Sequence, residues 1–176
     1  MADIDPTQPA IQIEGLTKRY GRGSSAVDAL KGVEMTVYPG EVVGLIGPSG
    51  SGKTTLLKCL GAVIEPSAGK FTLGGEVIYD NGWKARDLRA LRRDRIGFVF
   101  QAAYLIPFLD STDNVALLPM LAGVPNARAR QIALDMLTAL DVQHRAQARI
   151  SELSGGEQQR VAIARALANK PPIILA

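Results

Sequence analysis

The run Gly47-Pro48-Ser49-Gly50-Ser51-Gly52-Lys53-Thr54 brings together the residue types a polyphosphate needs, at a spacing that can converge on one point. Its pattern is Gly, four residues, Gly, Lys, then Ser or Thr. Glycines let the backbone curl so that several N–H groups aim inward at anionic oxygens. A helix beginning at the loop adds the positive end of its dipole. Lys53 supplies a charge suited to β- and γ-phosphates, and the Thr54 hydroxyl can ligate magnesium. The competing reading is a chance glycine-rich turn, but four fixed positions match by luck in about 1% of chains of this length or fewer. The flanks also agree with a phosphate loop. Val42-Val43-Gly44-Leu45-Ile46 is apolar without alternation, which predicts a parallel strand buried on both faces. A helix is predicted after the loop over Lys53–Leu60, ended by Gly61. Together these predict a chain that binds a nucleoside triphosphate, ATP with magnesium being the expected form.

A second run, Leu153-Ser154-Gly155-Gly156-Glu157-Gln158-Gln159-Arg160, can also attract an anion. Ser154 and Glu157 have the spacing of a capping box, so a helix is expected to start at Ser154 and run to about Ala168. The Ser154 hydroxyl and the Gly155 and Gly156 amides then sit at a helix N-terminus. A plain capped helix start explains the same residues equally well. Two phosphate-seeking sites in one chain can serve one nucleotide each, or two copies can each lend one to a shared nucleotide.

The remaining elements must hold these two sites in place. Short strands are predicted at Ile11–Ile13, Gly32–Val37 and Glu41–Ile46, with the turn Tyr38-Pro39-Gly40 between the last two. Phe71–Tyr79 reads as one strand running into Asp80-Asn81-Gly82, where Asn-Gly is a type I′ turn signal. A short basic helix follows, with Arg86, Arg89 and Arg93 at the spacing of one face, and then the β-rich run Ile96–Phe100. From about Thr112 to Gln147 the pattern is mostly helical, broken at Gly123, Pro125 and Asn126. Ile132, Met136, Leu137 and Leu140 form an apolar stripe that core packing explains. Asn169-Lys170-Pro171-Pro172 ends the last helix, and Ile173–Ala176 begins a buried strand. Ending partway through such a strand would expose apolar surface and unpaired backbone, so a truncated chain is expected.

Bulk properties narrow the function classes. A chain of 176 residues with 47% hydrophobic content suits one globular domain with a real core. Cys59 is the single cysteine, which excludes an internal disulfide and fits a reducing compartment. The start resembles no signal peptide, and the longest apolar stretch, near Val115–Val124, is interrupted by Pro119 and too short to span a bilayer. A net charge of +3 is weak support for nucleic acid, and no aromatic residues interleave the basic cluster at 84–95; none is expected as a partner. Residues 1–10, with Pro6 and Pro9, read as a flexible tail.

Leu153–Arg160 resembles the signature motif of ABC-transporter ATPases almost letter for letter, with the phosphate loop at the expected distance before it. The resemblance covers about Ile11 to Ala176. Within that superfamily, Gly-Pro-Ser-Gly-Ser-Gly-Lys-Thr-Thr (47–55), the Tyr20-Gly21 pair and Ile96–Gln101 look most like the ATPases of the macrolide-exporter and lipoprotein-release type. The implied fold is α/β: a three-layer P-loop NTPase core with a small antiparallel β subdomain and a helical subdomain at about Gln101–Ser151, its C-terminal part missing. The implied ATP site comprises Tyr20, stacking on adenine, and residues Gly47 to Thr55, including Thr55. Gln101 matches the glutamine that touches magnesium, together with Thr54, and positions the attacking water. Leu153, Ser154, Gly155, Gly156, Glu157 and Gln158 would complete the ATP site of a partner in a homodimer. Residues 104–110 match the region facing integral-membrane permease subunits; Leu105, Ile106, Phe108 and Leu109 there read equally as docking patch or core. The implied location is cytoplasmic, peripheral on the inner face of the cytoplasmic membrane.

Two departures matter. Ile173–Ala176 matches the strand that leads to the family's Walker B aspartate, but that aspartate and the catalytic glutamate after it are absent from these residues. His144 cannot substitute for the later switch histidine, because it precedes the signature motif; it reads as surface, and Cys59 as packing beside Leu56 and Leu60. The expectation is that the family's activity is ATP hydrolysis coupled to transport, while these 176 residues alone bind ATP weakly or not at all and do not turn it over. The alternative is a non-transport ABC-type ATPase of translation or DNA repair, which usually carries tandem cassettes or long coiled coil; neither is seen here. A GTPase would need Asn-Lys-x-Asp, and Asn169-Lys170 is followed by two prolines.

Overall fold

The computed structural model describes residues 7–176. They form two compact units that divide between Leu88 and Arg89. In the first unit, β1 (Ile11–Tyr20), β2 (Val27–Val37), β3 (Ala68–Leu73) and β4 (Glu76–Asp80) build an antiparallel sheet in the order β2-β1-β3-β4. Ile11, Ile13 and Leu16 on β1 are buried, as are Phe71 and Leu73 on β3 and Ile78 and Tyr79 on β4. Phe71 and Tyr79 stack, and Trp83 meets both rings edge-on. The helix α1 (Lys53–Leu60) lies against β2 and buries Leu56, Cys59 and Leu60. Its bounds are those the sequence predicts.

The second unit is helical around a short parallel ladder. Strand β5 (Ile96–Phe98) pairs with β6 (Ile173–Leu175), and the Val99 N–H donates to the Leu175 carbonyl at 2.9 Å to extend the ladder by one bond. Helix α2 (Leu88–Arg95) precedes β5; α3 (Ser111–Leu121), α4 (Asn126–Ala139) and α5 (Gly155–Leu167) pack on one another. Their shared core holds Val115, Ala129, Ala133, Leu137, Val142, Leu153, Val161 and Ala164. The predicted stripe on α4 is rotated slightly: Ala129, Ala133 and Leu137 are fully buried, while Ile132, Met136 and Leu140 flank them. Small residues sit at the centre because three helices close on that line. Gly97 serves the same purpose on β5, where a Cβ would come within 2.7 Å of the Ala166 carbonyl oxygen of α5.

Several sequence expectations need correction. Val42–Ile46, expected as a strand buried on both faces, belongs to no strand among the described residues; Val42 and Ile46 are each 99% exposed. An apolar run becomes a buried parallel strand only when neighbours supply ladder bonds on both sides. Neither sheet of the structure includes this run. Phe71–Tyr79 is not one strand but a hairpin, because Gly74 and Gly75, both at positive φ, reverse the chain between β3 and β4. The expected Ile96–Phe100 run is a strand only to Phe98. Arg86 precedes α2, so the arginine trio is not carried by one helix. Half of the Ile174 surface is exposed, so β6 buries only Ile173 and Leu175. The tail reading falls partly on residues 1–6, which lie outside the described residues, whereas Ala10 donates to the Val37 carbonyl at 2.8 Å.

The 104–110 segment resolves into two roles. Leu105 packs against the helical core, whereas Phe108 is 83% exposed and Tyr104 72%. Buried Asn114 holds this loop, accepting from the Ile106 N–H at 2.7 Å and donating to the Ile106, Leu109 and Asp110 carbonyls. Truncating Leu137, wholly buried where α4 meets the core, should cost about 2–5 kcal/mol. Urea unfolding of Leu137→Ala is expected to show that loss as a lower midpoint with an unchanged slope.

Candidate functional site

Gly52 is the N-cap of α1 and takes the left-handed conformation, φ 91°. No side chain caps this helix end. The first intrahelical bond runs from the Leu56 N–H to the Gly52 carbonyl at 2.8 Å. The Lys53, Thr54 and Thr55 amides therefore precede the helical ladder and lack intrahelical acceptors. A helix start left uncapped at an exposed loop is an anion-binding arrangement. A Cβ on residue 52 would stand 2.3 Å from the Ala29 carbonyl oxygen on β2 and 3.3 Å from Leu30 Cδ2. Only glycine permits that approach, so the loop rests directly on strand backbone.

Lys53 closes the loop from within. Its ammonium donates to the Gly47 carbonyl at 2.7 Å, the Pro48 carbonyl at 2.8 Å and Ser51 Oγ at 3.3 Å. The Ser51 N–H also returns to the Pro48 carbonyl at 3.3 Å. These bonds hold a positive charge against two backbone carbonyls and the Ser51 hydroxyl of the loop. The Ser51 contact is the longest of the three and the first an incoming oxygen anion would replace. Thr54 and the loop residues Gly47 to Ser51 are exposed. Tyr20 ends β1 with 42% of its surface exposed, and the Lys18 ammonium sits 5.1 Å from its ring centroid.

In the second unit, Ser154 caps α5 as expected. Its hydroxyl accepts from the Glu157 N–H at 3.3 Å while Glu157 Oε2 accepts from the Ser154 N–H at 2.7 Å. Gly155 and Gly156 are exposed at the helix start, and Leu153 is buried. Gln158 turns inward and donates to the Ile150 and Leu153 carbonyls. Glu157 would place a negative charge beside any anion bound there. It is neutralised by Arg145 at 2.7 Å, with His144 Nε2 3.5 Å away. The Arg145 bond, followed by the Ser154 bonds, holds the Glu157 carboxyl down to about 2 from its ordinary 4.5. Gln101 is exposed just after the β5 ladder. Among the described residues no cluster of three His, Cys, Asp or Glu side chains could hold a metal.

Residues 30–176 match the family model described as ABC transporter. The chain belongs to the ABC transporter family. It is 45% identical over 166 residues to the lipoprotein-releasing system ATP-binding protein LolD of Maricaulis maris, covering 94% of this chain and 72% of that protein. It is 41% identical over 169 residues to the macrolide export ATP-binding/permease protein MacB of Marinobacter nauticus, covering 96% of this chain and 26% of that one. The dimeric ATP-binding cassette MJ0796, solved in a post-hydrolysis state with ADP and Pi, superposes with a TM-score of 0.85 at 40% identity, over 94% of this chain and 72% of that one. The chain is thus the ATP-binding component of an ABC transporter, with the fold of a P-loop ATPase cassette.

The cassette contains site-supporting residues that pattern reading missed. Gln159 on α5 donates to the Phe100 carbonyl at 3.0 Å, and Arg165 donates to the Ala103 and Tyr104 carbonyls at 2.8 Å each. One helix thereby grips the backbone on both sides of Gln101. Arg145 was equally unmarked, since its partner Glu157 lies beyond a loop and no motif spans the pair.

Two outcomes follow from this geometry. Gly52→Ala must displace either the loop or β2, and titration calorimetry should find triphosphate affinity reduced at least about tenfold. For Glu157 the lowered folded-state pKa means stability that is present above 4.5 and lost as the pH falls through about 2. Unfolding midpoints of the unaltered chain and Glu157→Gln should therefore differ most near neutrality and converge across that window.

Proposed function

We propose that this chain supplies the phosphate-binding part of an ATPase that takes ATP with magnesium at Gly47–Thr55 and couples its hydrolysis to a separate permease of the lipoprotein-release or macrolide-export type, these 176 residues by themselves holding ATP weakly and not turning it over. The observation that carries the reading is the uncapped start of α1 beside the pinned ammonium of Lys53. The Lys53, Thr54 and Thr55 amides take phosphate oxygens, and Lys53 exchanges its Ser51 contact for one of them. By the family motif, Thr54 and Gln101 are the residues that would hold magnesium, which would screen the charge on the triphosphate. Tyr20 stacks on the adenine. These roles carry over from the family motif position by position.

Ser154, Gly155 and Gly156, with Leu153, Glu157 and Gln158 supporting them, serve the nucleotide of a second copy. Two like cassettes then close on shared ATP. The dimeric state of the MJ0796 cassette supports this. The ABC ATPase domain occupies 11–176, with its helical subdomain at about 101–151, and exposed Phe108 and Tyr104 on that subdomain face the permease. No helix among the described residues is long and apolar enough to cross a membrane. On the family resemblance the cassette works from the cytoplasmic side, held at the inner membrane face by its permease, and no nucleic-acid partner is expected.

Lys53→Ala tests the core of this reading. Equilibrium dialysis with radiolabelled ATP and magnesium should find binding at least about tenfold weaker than in the unaltered chain, corresponding to the loss of one charge-assisted contact. Equal binding by the two would sink it.

A further inference from the structure

Lys18 is part of no motif, yet it is engaged on two sides. Its ammonium lies 5.1 Å from the centroid of the Tyr20 ring and donates to the Glu65 carbonyl at 2.7 Å. Glu65 belongs to the segment leaving α1. That segment is fixed to β1 on both sides of Lys18: the Ser67 N–H donates to the Thr17 carbonyl at 2.8 Å, and the Arg19 N–H donates to Ser67 Oγ at 2.9 Å. The Tyr79 hydroxyl holds the neighbouring Pro66 carbonyl at 2.9 Å. Tyr20 keeps 42% of its surface exposed.

We propose that Lys18 is a positioning residue for the nucleobase, acting through Tyr20. An ammonium attracted to one face of an aromatic ring occupies that face and limits the ring's rotation. It also draws on the ring's negative quadrupole, so the opposite face is better suited to stack a purine. The Glu65 carbonyl orients the ammonium, and because Glu65 lies in the short segment after α1, the platform for the base is tied to the helix that starts at the phosphate loop. The inference rests on the reading of Tyr20 as the adenine platform. Stacking is indifferent to which base is offered, since every base has a π face. Lys18 therefore strengthens ATP and GTP alike and contributes nothing to a ligand without a base.

The test measures binding of ATP, GTP and inorganic tripolyphosphate, each with magnesium, to the unaltered chain and to Lys18→Met, Lys18→Arg, Tyr20→Ala and the double variant Lys18→Met/Tyr20→Ala. Lys18→Met is expected to weaken ATP and GTP by about two- to fivefold, with tripolyphosphate unchanged and Lys18→Arg close to the unaltered chain. In the Tyr20→Ala background, Lys18→Met should bring no further loss. Unchanged ATP affinity in Lys18→Met overturns the inference. So does an equal loss for tripolyphosphate, which would mark Lys18 as a support of the fold, or a full additional loss in the double variant. If the unaltered chain binds ATP no more tightly than tripolyphosphate, or Tyr20→Ala leaves ATP affinity intact, the adenine platform itself is wrong and the role of Lys18 falls with it.

Discussion

The backbone of β2 and the N-cap of α1 approach so closely that residue 52 has no room for a side chain. Much of the phosphate chemistry depends on that contact. It fixes where α1 begins and presses the helix start onto a paired strand of the sheet, so the uncapped amides are held by a rigid element rather than by a free loop. Lys53 then places its charge against the Gly47 and Pro48 carbonyls. A looser seat would let the lysine extend into water and the loop open. A loop seated on a paired strand has less ordering left to do on binding than a free loop would.

Helix α5 gives the second unit a comparable economy. Its apolar side, with Val161 and Ala164, completes the helical core. Its polar side reaches out at three levels. Glu157 closes the capping box and meets Arg145, Gln159 holds the Phe100 carbonyl, and Arg165 holds Ala103 and Tyr104. Burial lowers the proton affinity of the Arg165 guanidinium, yet its donors are used on backbone oxygens rather than on an acid. The same short helix thus presents the signature glycines at its start and sets the backbone around Gln101 along its flank. Movement of α5 would carry both.

Local rules made a good part of this legible in the residues. The glycine spacing and Lys53 marked the phosphate loop, the run Lys53–Leu60 marked α1 to the residue, and Ser154 with Glu157 marked the start of α5. In each case the decisive interaction lies within a few positions along the chain. What was missed lies farther apart. The Gly74-Gly75 reversal was overlooked because the flanking residues favour β structure on both sides. Val42–Ile46 carries the composition of a buried strand, but composition does not say whether neighbouring strands are present to pair with it. Lys18 with Glu65, Arg145 with Glu157, and Gln159 with Phe100 join positions separated by 47, 12 and 59 residues, a range at which hydrophobic periodicity is silent.

Cys59 was assigned to packing, and the structure places it wholly inside, on the buried face of α1. Burial pushes its thiol up to about 11, against a smaller opposing pull from Lys18. At neutral pH it is neither accessible nor ionised, and the thiolate is the form that reacts. The chain is therefore a nearly silent background for thiol-directed labels. A cysteine introduced at exposed Thr7 or Gly155 would take up a spin label or fluorophore alone, and distances between cassettes could be followed without first removing a native residue.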